Sequence, residues 1–310
     1  MSAIELQGVT KEYPTGFLHL RRVRALDGLS LTVERGEIFG VLGGNGAGKT
    51  TAIKILMRLM RPTVGHARIL GRDVADVAMH ARLGYLPEQP YFYDYLTARE
   101  LLEYCAELFG YARAERKRRA AEMLARVRLE EKSWDKQLRK FSKGMLQRVG
   151  LAQALVNDPS VVFLDEPMSG LDPVGRREVR DLIASLRATG TTVFLCSHIL
   201  SDVEALCDRA AVLRKGRLAH IGRLEELRAA SGGARPMEVV LSAPDAARLE
   251  AALSTVSGAR LTATPGGARV EVPTESEVDA VLRAARGAGA SLVAVQPVGN
   301  PLEELFVGEK

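Results

Sequence analysis

Apolar positions along the chain fall into two rhythms: short unbroken apolar runs that end at glycines or carboxylates, and longer stretches with apolar residues at i, i+3 and i+4. The first rhythm predicts buried strands, the second amphipathic helices. From Ala3, IELQGVTKEY alternates in the manner of an edge strand that ends at Tyr13, and LDGLSLTVERGEIFGVLGG reads as a strand, a turn at Arg35-Gly36 and a buried strand from Ile38 to Leu42. Between them, Pro14 to Ala25 is longer and more basic than a tight turn requires and predicts an exposed hairpin or loop. A helix from Thr50 to Arg61 precedes the break Pro62-Thr63-Val64-Gly65, after which HARILGRDV suggests a short strand and turn. Leu83 to Leu86 is a strand stopped by Pro87.

Residues from about Thr97 to Lys140 carry a helical pattern, with Leu101, Leu102, Leu108, Met123, Leu124, Val127 and Leu129 on apolar faces. With the helix from Leu146 to Leu155 they predict an inserted helical subdomain over about residues 97–155. Val161 to Leu164 and Thr191 to Ser197 are buried strands joined through a helix from Arg176 to Leu186. Ser231 to Pro236 is a linker by composition, separating a domain over 1–230 from one over 237–310. In the second domain MEVVLS, Pro244 to Leu253, ARLTAT and ARVEV around Pro265-Gly266-Gly267, a helix from Thr274 to Arg286 opened by a Thr274/Glu277 capping box, and ASLVAVQP follow in turn. That β-α-β-β-α-β order suggests a small ferredoxin-like α+β sandwich.

Hydrophobic residues at 46% and charged residues at 26% are ordinary for a soluble globular protein, and 310 residues suffice for two cores. No apolar run approaches the ~18 residues of a membrane span, and MSAIELQGVTKEY lacks a signal-peptide layout, so a cytoplasmic protein is expected. The cysteines Cys105, Cys196 and Cys207 lack metal-ligand spacing and are read as free thiols. The net charge of +5 is uneven: seven Lys/Arg against ten Asp/Glu from Arg235 to Lys310, a balance of −3, leaves +8 for residues 1–234. Nucleic acid, nucleotide phosphates and an anionic membrane surface suit that balance equally. The densest basic cluster, Arg113, Arg116, Lys117, Arg118 and Arg119, reads as a solvated helix face.

The chemistry concentrates where strands end. Gly43-Gly44-Asn45-Gly46-Ala47-Gly48-Lys49-Thr50-Thr51 fits G-x-x-x-x-G-K-[ST], in which backbone N–H groups and a helix N-terminus wrap nucleotide phosphates. Lys49 has the reach for the β- and γ-phosphates, and Thr50 places a hydroxyl where a bridging Mg²⁺ would sit. The strand from Val161 ends in Asp165-Glu166, one carboxylate to reach the metal and one to orient or deprotonate an attacking water. Gln89 can face a metal-bound water or a phosphate, or be a plain surface residue. Ser142 and Gly144 at a helix start suit an anion site or a simple cap. Tyr13 suits a purine ring or a half-buried strand end. His198, usually structural at a strand end, is the third polar group delivered at a carboxyl edge, where parallel sheets bind ligands.

Together these residues resemble the ATP-binding cassette family, the ATPase subunits of ABC transporters, over about residues 3–228. Gly43 to Thr51 matches its Walker A loop, Gln89 its Q-loop, Ser142 to Met145 its signature, Val161 to Glu166 its Walker B, Ser169 to Asp172 its D-loop, His198 its switch histidine and Tyr13 its adenine-stacking aromatic. The resemblance implies an α/β P-loop cassette that hydrolyses ATP with Mg²⁺ held by Thr50, Gln89 and Asp165. It implies Glu166 as base, Lys49 and His198 on the γ-phosphate, Asp172 among the nucleotide-binding residues, and cassettes paired head to tail with Ser142 and Gly144 serving the partner's ATP. It further implies a separate permease, a location on the inner face of the cell membrane and no nucleic-acid partner. Gly44 departs from the family's common proline, and Ser-Lys-Gly-Met from its Ser-Gly-Gly-Gln. The latter form, with the tail from Pro301 to Phe306, resembles an exporter branch. The alternative is a non-transport cassette ATPase acting on ribosomes or DNA. The domain over 237–310 holds no catalytic constellation, leaving a dimerisation or regulatory module or an inert cap.

Overall fold

The computed structural model describes residues 2–15, 21–230, 236–243, 246–254, 256 and 258–298. Two compact units divide the chain, Met1–Leu227 and Arg228–Lys310. The first holds two sheets. In one, β1 (Ser2–Thr15), β2 (Arg21–Glu34), β4 (Val64–Ile69) and β5 (Arg72–Asp73) pair antiparallel in the order β2-β1-β4-β5. The other contains β3 (Ile38–Leu42), β6 (Leu83–Leu86), β7 (Val161–Asp165), β8 (Thr192–Ser197), β9 (Arg209–Arg214) and β10 (Arg217–Arg223), ordered β10-β9-β3-β8-β7-β6.

From β9 to β6 this second sheet is parallel, and only β10 runs against its neighbour. Parallel strands covered on both faces need apolar side chains throughout; every residue of β3, β7 and β8 is buried. Phe194 lies between Phe39 and Phe163, with ring centroids 6.0 and 5.7 Å apart, and these rings anchor the core shared with the antiparallel sheet. The register decides the site: Leu42 pairs with Ser197, and Asp165 with Cys196. The loop after β3, the carboxylates ending β7 and the polar end of β8 therefore leave the sheet at one edge.

Helix α1 (Lys49–Leu56) follows the glycine loop and is shorter than the Thr50–Arg61 expectation. Arg58 takes a left-handed φ of 57° and Leu59 is 63% exposed, so past Leu56 the chain has little apolar surface to bury and turns instead. The inserted region holds α2 (Ala98–Leu108), α3 (Arg113–Arg126) and α4 (Lys143–Leu155). Leu108, expected on an apolar face, is 69% exposed at the last turn of α2. The basic cluster on α3 is not uniformly solvated: Arg119 is largely covered, bonds Asp158 and Glu115, and stacks over Tyr111 at 4.1 Å. Pro14 to Ala25 is mostly strand, β1 running to Thr15 and β2 from Arg21, with residues 16–20 outside the described residues. Then come α5 (Pro173–Ser185), α6 (Leu200–Leu206) and α7 (Leu224–Ala230).

The second unit is one antiparallel sheet, ordered β12 (Arg260–Thr264), β13 (Gly267–Val272), β11 (Met237–Ser242) and β14 (Ser291–Pro297), with α8 (Ala246–Leu253) and α9 (Val278–Gly287). Val239, Leu241, Val270, Leu249 and Val281 form its core. Thr274 N–H donates to Glu277 at 2.9 Å ahead of α9. Residues 231–235 of the linker and the Pro301 to Phe306 stretch lie outside the described residues. No described helix is long and apolar enough to cross a membrane.

Replacing Phe194 with alanine is expected to cost about 3–5 kcal/mol, read as a lowered urea midpoint at an unchanged m-value for the first unit.

Candidate functional site

A cleft of about 600 Å³ opens at that carboxyl edge, lined by Tyr13, the loop from Gly44 to Thr51, Glu88, Asp165, Glu166 and His198. The loop takes its path because its glycines permit it. Gly48 has φ 106°, and a Cβ there would lie 2.6 Å from the Ala25 carbonyl oxygen. Gly43 likewise leaves no room, with Ala47 Cβ at 2.8 Å, whereas Gly44 faces open space, so the common proline's absence removes no steric requirement.

Lys49 is 7% exposed, and its ammonium donates to the Gly43 carbonyl at 2.6 Å. It also stands 3.6 Å from Glu166 Oε1, and both side chains are 8% exposed. His198 Nδ1 lies 2.9 Å from the other oxygen, Glu166 Oε2. Glu166 therefore bridges the loop's cation and the imidazole. Its own backbone sits at φ 51°, a left-handed conformation that costs a non-glycine residue about 1–2 kcal/mol. Its N–H bonds the Cys196 carbonyl at 2.9 Å, tying that turn to β8.

Thr50 Oγ1 donates to Asp165 Oδ2 at 2.8 Å. Asp165 Oδ1 is buried with no hydrogen-bond partner. An orphaned carboxylate oxygen is costly, and a hard cation with oxygen ligands is the partner it suits, so these residues fit Mg²⁺. Burial holds the Asp165 carboxyl above the ordinary aspartate range, reinforced by the charges of Glu166 and Glu88 and opposed by the Thr50 hydroxyl and Lys49.

Gln89, expected with this set, is exposed and lines neither this cleft nor the next. Glu88 lines it instead. Both residues sit in the bend after Pro87, so the path of that bend sets whether the amide or the carboxylate meets the cleft. Tyr13 stands at the rim, its hydroxyl 3.0 Å from Met60 Sδ and Lys11 Nζ 5.5 Å from the ring centroid.

Ser142, Gly144 and Asp172 gather elsewhere, in a cleft of about 980 Å³. Ser142 Oγ caps α4 by accepting from Met145 N–H at 3.2 Å, and Asp172 Oδ1 caps α5 by accepting from Gly175 N–H at 2.8 Å. Lys143 lies across Gly170, where a Cβ would meet its Cδ at 2.5 Å. The two clefts are linked through Gln147, which the helical pattern alone did not single out. It is 2% exposed, and its amide donates to the Pro167 carbonyl at 3.0 Å. A polar residue on the buried side of α4 was the available signal.

A family model described as ABC transporter matches residues 26–169. An uncharacterised ABC transporter ATP-binding protein of Synechocystis sp. is 49% identical over 83% of this chain and 72% of its own length. A daunorubicin resistance ATP-binding protein of Streptomyces coeruleorubidus is 36% identical over 99% of this chain and 95% of its own. The dimeric structure of a post-hydrolysis state of an ATP-binding cassette bound to ADP and Pi aligns with a TM-score of 0.67 at 28% identity, over 71% of this chain and 98% of that one.

Because Asp165 binds its proton more tightly folded than unfolded, stability falls as pH rises from the ordinary aspartate value of 3.8 through the raised one, and the deficit persists above it. Asp165→Asn should therefore raise the melting temperature of the metal-free protein at pH 7 by about 2 °C or more. The gain should disappear below the ordinary aspartate range; an equal gain at all pH values would contradict the buried-charge account.

Proposed function

This chain belongs to the ABC transporter ATP-binding proteins, and from that premise we propose how its two clefts divide the work and which way transport runs. The protein is an ATPase that energises a membrane permease and works as paired cassettes. In the proposed scheme the loop amides and Lys49 hold the triphosphate, while Tyr13 stacks on the base. Thr50 and Asp165, with Glu88 at the rim rather than Gln89, would hold Mg²⁺, whose charge would offset that of the phosphate oxygens.

Glu166 takes the proton from the attacking water, and His198 positions that carboxylate and meets the γ-phosphate. The observation that carries this is Glu166 held between Lys49 and His198 beside the Thr50–Asp165 pair. Lys49 donates to the Gly43 carbonyl and stands beside Glu166. Phosphates compete for that ammonium, and its withdrawal frees Oε1 for water. Ser142, Gly144 and Asp172 lie in the other cleft, so their service to ATP requires a second cassette, head to tail.

Export is the proposed direction, supported by the Ser-Lys-Gly-Met signature and by relatives named for daunorubicin resistance, fluoroquinolone export and bacitracin transport. A peripheral position on the inner membrane face follows, with the exposed Tyr91, Tyr93 and Tyr95 as the permease-facing surface. The unit from Met237 onward is proposed as a dimerisation or regulatory module.

Glu166→Gln should lower kcat by about 10²–10⁴ and accumulate an ATP-dependent dimer on size-exclusion chromatography. Trapped with ATP and purified from solubilised membranes, it should retain a multi-helix protein in stoichiometric amount. Rapid turnover without a dimer would overturn the site assignment, and ribosomal or DNA partners would overturn transport. Glu88→Gln should raise the Mg²⁺ concentration needed for nucleotide-dependent fluorescence change by about tenfold, as loss of one charge-assisted contact does, while Gln89→Ala leaves it unchanged.

A further inference from the structure

At the opposite edge of the six-stranded sheet, where the parallel strands begin, lies a cleft of about 470 Å³ that the ATPase scheme does not use. Three arginines from separate parts of the chain line it: Arg35 in the turn between β2 and β3, Arg82 just before β6, and Arg126 at the end of α3. Its one acidic lining residue, Asp158, is already bonded by Arg119 at 2.6 Å. Among the described residues none of the three arginines has a carboxylate partner.

The floor of this cleft is fixed. Arg82 donates from Nε and Nη2 to Ser160 Oγ at 3.3 and 3.0 Å, and Ser160 N–H returns a bond to the Arg82 carbonyl at 2.8 Å. The Gly36 N–H donates to Thr192 Oγ1 at 2.9 Å, holding the Arg35 turn against the start of β8. Arg82 is thus oriented by one hydroxyl and keeps its other donors. Three arginines lining one opening favour an anion among them, and their planar forks match phosphate oxygens two at a time. Leu70, Leu155 and Leu186 supply an apolar wall beside them.

We infer that this cleft binds the phosphate group of a small organic anion, at a site separate from the ATP cleft. Bound there, the phosphate bridges Arg126 of the helical insertion to Arg35 and Arg82 of the sheet, so occupancy ties α3 to the strand starts.

The test uses the full chain with EDTA removing metal, and any entry of pyrophosphate into the ATP cleft is read separately at Arg24, which lines that cleft. Pyrophosphate is titrated at fixed ionic strength while the arginine Nε–Hε NMR signals are followed. Saturable shifts are expected at Arg35, Arg82 and Arg126, with Arg82→Gln and Arg126→Gln each weakening binding about tenfold. Arg82→Lys, which keeps the charge and loses the fork, should weaken it less. A parallel arm sediments the protein with phosphatidylcholine vesicles carrying phosphatidate. Arginine-dependent binding confined to those vesicles identifies a lipid headgroup as the source of the phosphate. Shifts that sodium chloride reproduces, or binding in both arms that the arginine variants leave intact, would overturn the site, as would no binding in either arm.

Discussion

Lys49, Asp165 and Glu166 are each less than a tenth exposed, and they converge on one cleft. Buried charges are tolerated only when paired or hydrogen-bonded, and the surrounding architecture supplies those pairings from four places. The loop carbonyls and Glu166 take the ammonium, Thr50 takes one Asp165 oxygen, and His198 takes the far oxygen of Glu166. What is left over, Asp165 Oδ1, is the group that a divalent cation would complete. The cleft is thus lined by charges partly satisfied by one another.

That arrangement depends on the parallel sheet. Because β3, β7 and β8 run the same way in register, three segments far apart in sequence end within reach of each other. The apolar strands are rigid for the same reason that they are buried: Phe39, Phe163 and Phe194 interlock behind them. Left-handed backbone occurs at the site itself, in Glu166 and the glycine loop, as well as at turns elsewhere such as Arg58. Gln147 carries that geometry to α4, whose capped start lies in the second cleft. One hydrogen bond thus joins the turn after Glu166 to the helix whose start lies in the second cleft.

Much of this was legible beforehand, because it rests on local spacing. A glycine-rich loop between an apolar run and a helix, and an apolar run ending in two carboxylates, have few other physical uses. The amphipathic order of the second unit was equally plain, since each of its elements alternates or repeats with its own period. Less was legible where solvent decides. The Thr50–Arg61 helix and Leu108 were misjudged because apolar residues at helix ends can be left exposed when nothing packs over them.

Sequence by itself marked the residues suited to phosphate, metal and water, since that suitability follows from side-chain chemistry and short-range spacing. Only the tertiary structure decided that Glu88 lines the cleft and Gln89 does not, since both sit in a bend whose path is set by packing. It likewise decided that Ser142, Gly144 and Asp172 stand apart from Lys49 and Glu166, and that Arg35, Arg82 and Arg126 share an opening. Those distances are set by how strands and helices stack across the whole chain, and no local pattern encodes them.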